Sequence, residues 1–200
     1  MKELSKSEML SYFEEMNNRL AANNLHGEIV LTGGAALTLV FDARDSTQDI
    51  DAIFHPTTDI RNIISSMATD YNLPSDWLND AVKPFVTEKL TILPHINYSN
   101  LVIYSVDAKS LLAMKLSSAR FGTSDMDDSI FLMNHLGIEM EKEVFDIIDK
   151  YIDPFLRRPS VKFFAMEAFQ QYSKERAIAA TNTKHQNAKS NRQKRQSKYY

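Results

Sequence analysis

The chain has 200 residues, of which 44% are hydrophobic and 24% charged, and its formal net charge is −3. This length and composition are typical of one ordinary globular domain, or of one domain with a small helical appendage. There is no cysteine, which excludes disulfide bonds and thiolate metal sites. No apolar run reaches membrane-spanning length, and the N-terminus lacks the apolar core of a signal peptide. We therefore expect a cytoplasmic protein without membrane contact.

The charge is unevenly distributed. Lys184–Tyr200 contains six Lys or Arg and no acid, so the preceding part of the chain carries a net charge of −9. The same segment is rich in Gln, Asn and Ser, and this composition predicts a disordered or loosely helical end, which we place at 176–200. Such a basic tail either contacts RNA phosphates or only improves solubility.

The first part of the chain alternates between helix and strand patterns. Met9, Phe13, Met16 and Leu20 recur at helical spacing, which predicts an amphipathic helix that ends before Gly27. The elements predicted after it are, in order, a strand at Glu28–Thr32, a Gly33-Gly34 turn, a short helix over AALTLVF, a strand at Asp49–Phe54, and a helix from Thr58 or Asp59 to about Tyr71.

The second part is mostly helical. It is predicted to contain strands near Lys89–Leu93 and Leu101–Val106, a helix from Ala108 to about Arg120 with Asp107 as N-cap, and helices at Asp127–Leu136, Lys142–Tyr151 and Val161–Tyr172. This order favours an α/β (α+β) fold with a small mixed β-sheet flanked by helices and a helical C-terminal half. We divide the chain into an α/β core at 1–106, a helical part at 107–175 and the basic tail.

Two aspartates interrupt the apolar strand at Asp49–Phe54. Residues i and i+2 of a strand point to the same face, so Asp49 and Asp51 project together while Ile50 and Ala52 face the other side. Neighbouring carboxylates repel each other unless something compensates their charge, and a divalent cation such as Mg²⁺ does so directly. The alternative is a solvated strand end, or pairing of these acids with Arg44.

A glycine pair precedes these aspartates. Gly33 and Gly34 follow a buried strand, where they would let the backbone approach a ligand closely, and the next helix would offer its N-terminus to phosphate. The alternative is a tight strand-to-helix turn, since the pattern is not that of a P-loop. The order of features is more specific: Arg44 and Ser46-Thr47 lie between the glycines and the Asp-x-Asp strand.

The segment "TGGAAL…R.STQDIDAIF" resembles the nucleotidyltransferase superfamily, which includes the polymerase-β-like minimal enzymes. It is most similar to the bacterial branch that contains abortive-infection and type IV toxin–antitoxin nucleotidyltransferase-like proteins. Three further blocks, "SDWLNDAVKPF" (Ser75–Phe85), "LLAMKLSSAR" (Leu111–Arg120) and "DDSIFLMNHLGI" (Asp127–Ile138), resemble successive blocks of an uncharacterised family in that branch. The resemblance covers about Glu28 to Ile138.

This resemblance implies a role for each matching residue. Asp49 and Asp51 would hold Mg²⁺ or Mn²⁺, and Lys115 and Asp128 would complete the catalytic set. The nucleotide-binding residues would be Gly33, Gly34, Arg44, Ser46, Thr47 and Lys115. The substrate would be an NTP, the acceptor RNA, a protein or a small molecule, and a cognate antitoxin-like protein is a candidate partner.

Lys115 lies beside the apolar stripe of its predicted helix, where a lysine must reach solvent along the surface, pair with an acid or extend into a cleft. The resemblance favours the cleft and contact with nucleotide phosphates. Arg120 is a second candidate, but we expect it to pair with Asp125 or Asp128.

The third carboxylate of polymerase-like enzymes is harder to place. Asp107 ends a predicted strand but equally suits a helix N-cap. Asp128 is favoured by the resemblance, because related toxin-like proteins carry a functional acid shortly after the lysine; its alternative role is pairing with Arg120. Trp77, the only tryptophan, is expected to anchor the core, with a wall of the cleft as the alternative.

Three hypotheses follow. The first is a metal-dependent nucleotidyltransferase that transfers a nucleoside monophosphate to an acceptor hydroxyl, as a toxin-like component. The second is a catalytically inactive module of the same fold that binds nucleotide or a protein partner. The third is an RNA-binding adaptor that depends on the basic tail.

Overall fold

The computed structural model describes residues 3–118 and 120–196, with side chains as far as residue 182. Within these residues the strands are β1 (Leu4–Ser5), β2 (Gly27–Leu31), β3 (Ser46–Thr47), β4 (Ile50–His55), β5 (Leu78–Asn79), β6 (Ile92–Asn97) and β7 (Leu101–Val106). The helices are α1 (Lys6–Ala22), α2 (Gly33–Leu39), α3 (Thr57–Tyr71), α4 (Ala108–Ser118), α5 (Asp125–Leu136), α6 (Glu141–Tyr151) and α7 (Pro159–Gln196), with 3₁₀ helices at Lys83–Phe85 and Pro154–Leu156.

The main sheet has five strands in the order β5-β4-β2-β7-β6. Its centre is mixed: β2 runs antiparallel to β4, with Ile29 opposite Phe54, and parallel to β7, with Ile29 opposite Ile103. The outer strand β5 is parallel to β4, and β6 is antiparallel to β7. The predicted strands around residues 28–32 and 49–54 are therefore neighbours in one small mixed sheet, as expected.

Helix α1 forms because its sequence supplies both a start and a buried face. The Ser5 hydroxyl accepts a hydrogen bond from the Glu8 amide, and the Glu8 carboxylate accepts one from the Ser5 amide, which is a capping box. The predicted apolar stripe Met9, Phe13, Met16 and Leu20 is completely buried. Before this helix, β1 pairs with β3, an interaction that two-residue strands do not reveal in a sequence.

The C-terminal half is helical, as predicted. The Asp107 carboxylate accepts a hydrogen bond from the Ser110 amide at 2.7 Å, which confirms that Asp107 caps α4. Helices α4 to α7 pack on one another, and α5 ends at Gly137, whose φ of +64° favours glycine. The chain thus has the expected α/β fold with a helical second half.

Most predicted boundaries shift by one or two residues, and three elements differ in a more informative way. The Gly33-Gly34 turn is the first turn of α2. Strand β6 begins at Ile92, three residues after the predicted start at Lys89, and it includes Pro94, which an edge strand tolerates. Helix α7 runs to Gln196, where the sequence indicated a disordered or loosely helical tail; 173–196 contains no glycine or proline that would end a helix. Residues 197–200 lie outside the described residues, and the domain division stays a prediction. None of the described helices has the length and apolarity needed to cross a membrane.

Candidate functional site

A cleft of about 290 Å³ lies between the α/β half and the helical half of the chain. One side is formed by the ends of β2 and β4, and the other by α4. Its lining residues are Thr32, Gly33, Asp51, Ala81, Val82, Phe85, Leu111, Met114, Lys115, Ser118, Arg120 and Arg158. The cleft therefore places an aspartate of the predicted metal pair, a glycine of the predicted turn and the predicted phosphate-binding lysine around one space.

Gly33 and Asp51 are in direct apposition. The Thr32 amide and hydroxyl both donate to the Asp51 carbonyl oxygen at 3.0 Å, which fixes the strand end against the start of α2. Gly33 has a φ of +54°, and a Cβ atom at this position would lie 2.9 Å from Asp51 Oδ2. A side chain there would be strained and would collide with the carboxylate. The absence of a side chain at Gly33 thus lets the backbone lie directly against the Asp51 carboxylate.

Asp49 lies just before β4 and is held by β5. Asn79 Nδ2 donates to Asp49 Oδ2 at 3.1 Å. Burial, and then repulsion from Asp51, raise the pKa of the Asp49 carboxyl above its usual range, while the hydrogen bond from Asn79 acts in the opposite direction. The alternative that Arg44 pairs with these acids is wrong, because its guanidinium is turned to Asp128. The Asp49 carboxylate therefore has a neutral partner and an acidic neighbour.

Three further predicted nucleotide-binding residues do not line the cleft. Gly34 packs against the side chain of Thr47, whose hydroxyl donates to the Asp49 carbonyl oxygen at 3.1 Å. Ser46 donates instead to the Glu3 carboxylate, outside the cleft. Among the described residues, Gly34 and Thr47 thus support the aspartate strand, whereas Ser46 belongs to the small N-terminal sheet.

Lys115 pairs with two carboxylates of α5. The residue is only 7% exposed, and Nζ lies 2.8 Å from Asp125 Oδ1 and 2.9 Å from Asp128 Oδ2. Asp128 also accepts from Arg44 Nε at 3.0 Å and from the Nη2 of the same guanidinium. Of the three outcomes considered for Lys115, pairing with acids is the one observed, at the wall of the cleft. Arg44, Lys115, Asp125, Asp128 and Arg120 form what we call the ion-pair network.

Asp125 is the residue of this network that the sequence did not single out for the site. Arg120 donates to it from Nε at 2.7 Å and from Nη2 at 3.1 Å, and the Ser118 hydroxyl donates at 2.6 Å. Burial alone would raise the pKa of the Asp125 carboxyl, but the hydrogen bonds from Arg120, Lys115 and Ser118 outweigh it and hold the pKa at about 2. The Arg120 pairing was expected, and the Asp-x-x-Asp spacing on one helix face was the available indication for Asp125.

Asp128, the predicted third carboxylate, forms ion pairs with the side chains of Arg44 and Lys115. Within the described part of the chain, no three Asp, Glu or His side chains are grouped as metal ligands. Trp77 is a core residue, as expected: it is buried, and its Nε1 donates to the Ile64 carbonyl oxygen at 3.2 Å. Its neighbour Asn79, rather than the tryptophan, reaches the site.

The chemistry of Asp49 and Asp51 fits a hard divalent cation. Two adjacent half-buried carboxylates offer oxygen ligands. They repel each other, and Mg²⁺ or Mn²⁺ would compensate their combined negative charge. The missing Cβ at Gly33 leaves space directly beside Asp51 Oδ2. These residues would therefore hold the metal that the resemblance implies.

Gly33 lies against an Asp-x-Asp strand in a small mixed sheet, and a lysine-bearing helix lies across the cleft, which is the arrangement that the resemblance to nucleotidyltransferases leads us to expect. The chain belongs to the family described as "Nucleotidyltransferase of unknown function (DUF6036)", whose model matches residues 7–177. This match extends the resemblance into α1 and the C-terminal helices. Neither the curated proteins nor the solved structures include a significant match.

Proposed function

We propose that the protein is a metal-dependent nucleotidyltransferase that moves a nucleoside monophosphate from an NTP to an acceptor hydroxyl and releases pyrophosphate. The observation that carries the proposal is the pair Asp49 and Asp51, which lacks an ion-pair partner among the described residues and adjoins Gly33 at the cleft. Two carboxylates without an ion-pair partner beside a glycine backbone suit a cation and a phosphate better than a structural core.

The chain's own residues would prepare this site. Asn79 orients Asp49 through the 3.1 Å hydrogen bond, and Thr32 fixes the backbone of Asp51. Gly33 would let phosphate oxygens approach the main chain. When bound, Mg²⁺ or Mn²⁺ would neutralise phosphate charge and lower the pKa of the acceptor hydroxyl.

Across the cleft, Lys115 would support the phosphates from a fixed position. Its ammonium group is held by Asp125 and Asp128, so its direction is set before substrate arrives. We assign Asp128 a positioning role, because it orients Lys115 and Arg44 through ion pairs. A toxin-like role, and a cognate antitoxin-like partner, belong to the same proposal as its biological setting.

The proposal is tested by incubating the pure protein with each α-labelled NTP, Mg²⁺ or Mn²⁺, and total cellular RNA or protein. We expect the label to appear in one acceptor fraction with the wild type and to be absent with an Asp49→Asn/Asp51→Asn variant that remains folded. NTP binding without any label transfer would favour the inactive nucleotide-binding module instead. Equal labelling by both proteins would contradict the assigned site.

A further inference from the structure

Three cationic side chains line the cleft, and they differ in how their charge is used. Lys115 is paired with two aspartates and Arg120 with one. Arg158, which follows the second 3₁₀ helix and precedes α7, forms neither a side-chain hydrogen bond nor an ion pair within the part of the chain that the structure describes. Its charge is therefore uncommitted in the absence of a ligand.

The neighbouring arginine shows that this is not a general property of the segment. Arg157 donates from Nη1 to the Asp149 carboxylate at 2.7 Å, and from Nε to the Ile152 carbonyl oxygen at 3.1 Å. The same loop thus fixes one guanidinium to the protein and presents the next one to the cleft.

The free donors of Arg158 and the apolar side chains around it indicate the chemical groups that a ligand of this cleft would carry. Arg158 is exposed and lines the cleft, so its five N–H donors are free to reach an acceptor that binds there. The cleft also has an apolar lining that includes Val82, Met114 and Phe85, which is 44% exposed. A ligand with an anionic part for the arginine and a planar, less polar part for this lining satisfies both.

We propose that Arg158 binds phosphate oxygens of the nucleoside triphosphate and thereby contributes to recognition of the triphosphate over the nucleoside. This inference rests on the proposed nucleotidyltransferase function and adds a residue from the C-terminal half to its substrate site. The planar guanidinium can donate two parallel hydrogen bonds to phosphate, which suits it to this role better than a lysine.

The test compares Arg158→Gln with Lys162→Gln, which removes one positive charge from an exposed position in α7 outside the cleft lining. ATP, GTP, CTP and UTP and the matching nucleosides are titrated at one Mg²⁺ and salt concentration, and the melting temperature of each variant checks that it is folded. For the NTP that the wild type binds, we expect Arg158→Gln to weaken binding about 10- to 100-fold, as for a lost charge-assisted hydrogen bond. Nucleoside binding by Arg158→Gln, and NTP binding by Lys162→Gln, should change less than about twofold.

An unchanged NTP affinity in Arg158→Gln, or an equal loss for NTP and nucleoside, would overturn the inference while the proposed function stands. A wild-type protein that binds none of the four NTPs would overturn both. Arg158→Lys should keep the charge but lose the paired geometry, and we expect its NTP affinity to lie between those of the wild type and Arg158→Gln.

Discussion

Two groups of acidic residues lie near the cleft, and they are compensated in opposite ways. Asp125 and Asp128 share Lys115, Arg44 and Arg120, so each carboxylate has at least two cationic donors. Asp49 and Asp51 form no ion pair among the described residues, and burial and mutual repulsion raise the pKa of Asp49. The acids of the ion-pair network have cationic partners within the protein, whereas the Asp49/Asp51 pair would gain one only by binding a cation, as we propose.

All four residues are aspartates, so residue type cannot distinguish structural acids from candidate catalytic acids. The presence or absence of an ion pair does distinguish them. A paired buried carboxylate orients its partners and is costly to disturb. An unpaired one destabilises the free protein slightly and gains when a cation binds. Substitutions in the two groups should therefore have opposite effects on stability.

The largest effect is expected for Lys115→Met, because it leaves Asp125 and Asp128 buried with one cation fewer. Breaking a buried pair costs roughly 3–5 kcal/mol, and we expect the lower end, about 3 kcal/mol, since Arg120 and Arg44 remain. Urea denaturation with an unchanged m-value measures this loss. Lys109→Met, at an exposed position of the same helix, is the control and should change stability by less than about 0.5 kcal/mol. Equal stabilities of both variants would mean that the network is energetically unimportant.

A smaller effect concerns the pH dependence due to Asp125. Its folded-state pKa of about 2 lies below the value of 3.8 for an aspartate in the unfolded chain, so the folded protein binds fewer protons in this range and stability rises with pH. The contribution, about 2 kcal/mol, is fully present above pH 3.8 and is lost as the pH falls through 2, with about 1 kcal/mol lost by pH 3.

Asp125→Asn isolates this contribution. Its stability deficit relative to the wild type, measured by urea denaturation between pH 7 and pH 3, should shrink by about 1 kcal/mol toward the acid end. A deficit that is constant with pH would show that Asp125 titrates normally in the folded protein.

The smallest effect, and the one of opposite sign, is expected for Asp49→Asn without metal. Because the pKa is raised, ionisation of Asp49 lowers the stability of the folded protein. The stabilisation due to the protonated carboxyl is fully present below the unfolded-state pKa and is lost as the pH rises through the folded-state pKa. At neutral pH the neutral amide should therefore raise the melting temperature slightly. Asp42→Asn, at an exposed position, is a control that should not do so. A lower melting temperature for Asp49→Asn would place Asp49 with the structural acids.

The sequence predicted the Asp49/Asp51 side of this comparison better than the ion-pair network. Strand periodicity and the short spacing between the glycines and Asp-x-Asp are local patterns, and they predicted the strand-to-glycine turn and the aspartate strand that the structure brings together at Gly33 and Asp51. The contact between Arg44 and Asp128 joins residues 84 positions apart, and no local pattern specifies it. Asp125 and Asp128 share one helix face, so spacing alone could not tell which acid each cation would choose.

Other features were missed for the same reason. Strands β1, β3 and β5 have two residues each, too few for a period-two pattern, and exist because their partners are brought close by the larger sheet. Arg157 and Arg158 are identical in type and adjacent in sequence, yet only the fold determines which one has protein acceptors.

The most direct test of the proposed site is the melting temperature of the wild type and of the Asp49→Asn/Asp51→Asn variant, with and without Mn²⁺ and NTP. If the pair holds a cation, ligands at about 100 times their dissociation constant should stabilise the wild type by roughly 2.7 kcal/mol. The double variant should remain folded and lose this response. A wild type and a double variant that respond equally to metal and NTP would contradict the assignment of Asp49 and Asp51 as the metal site.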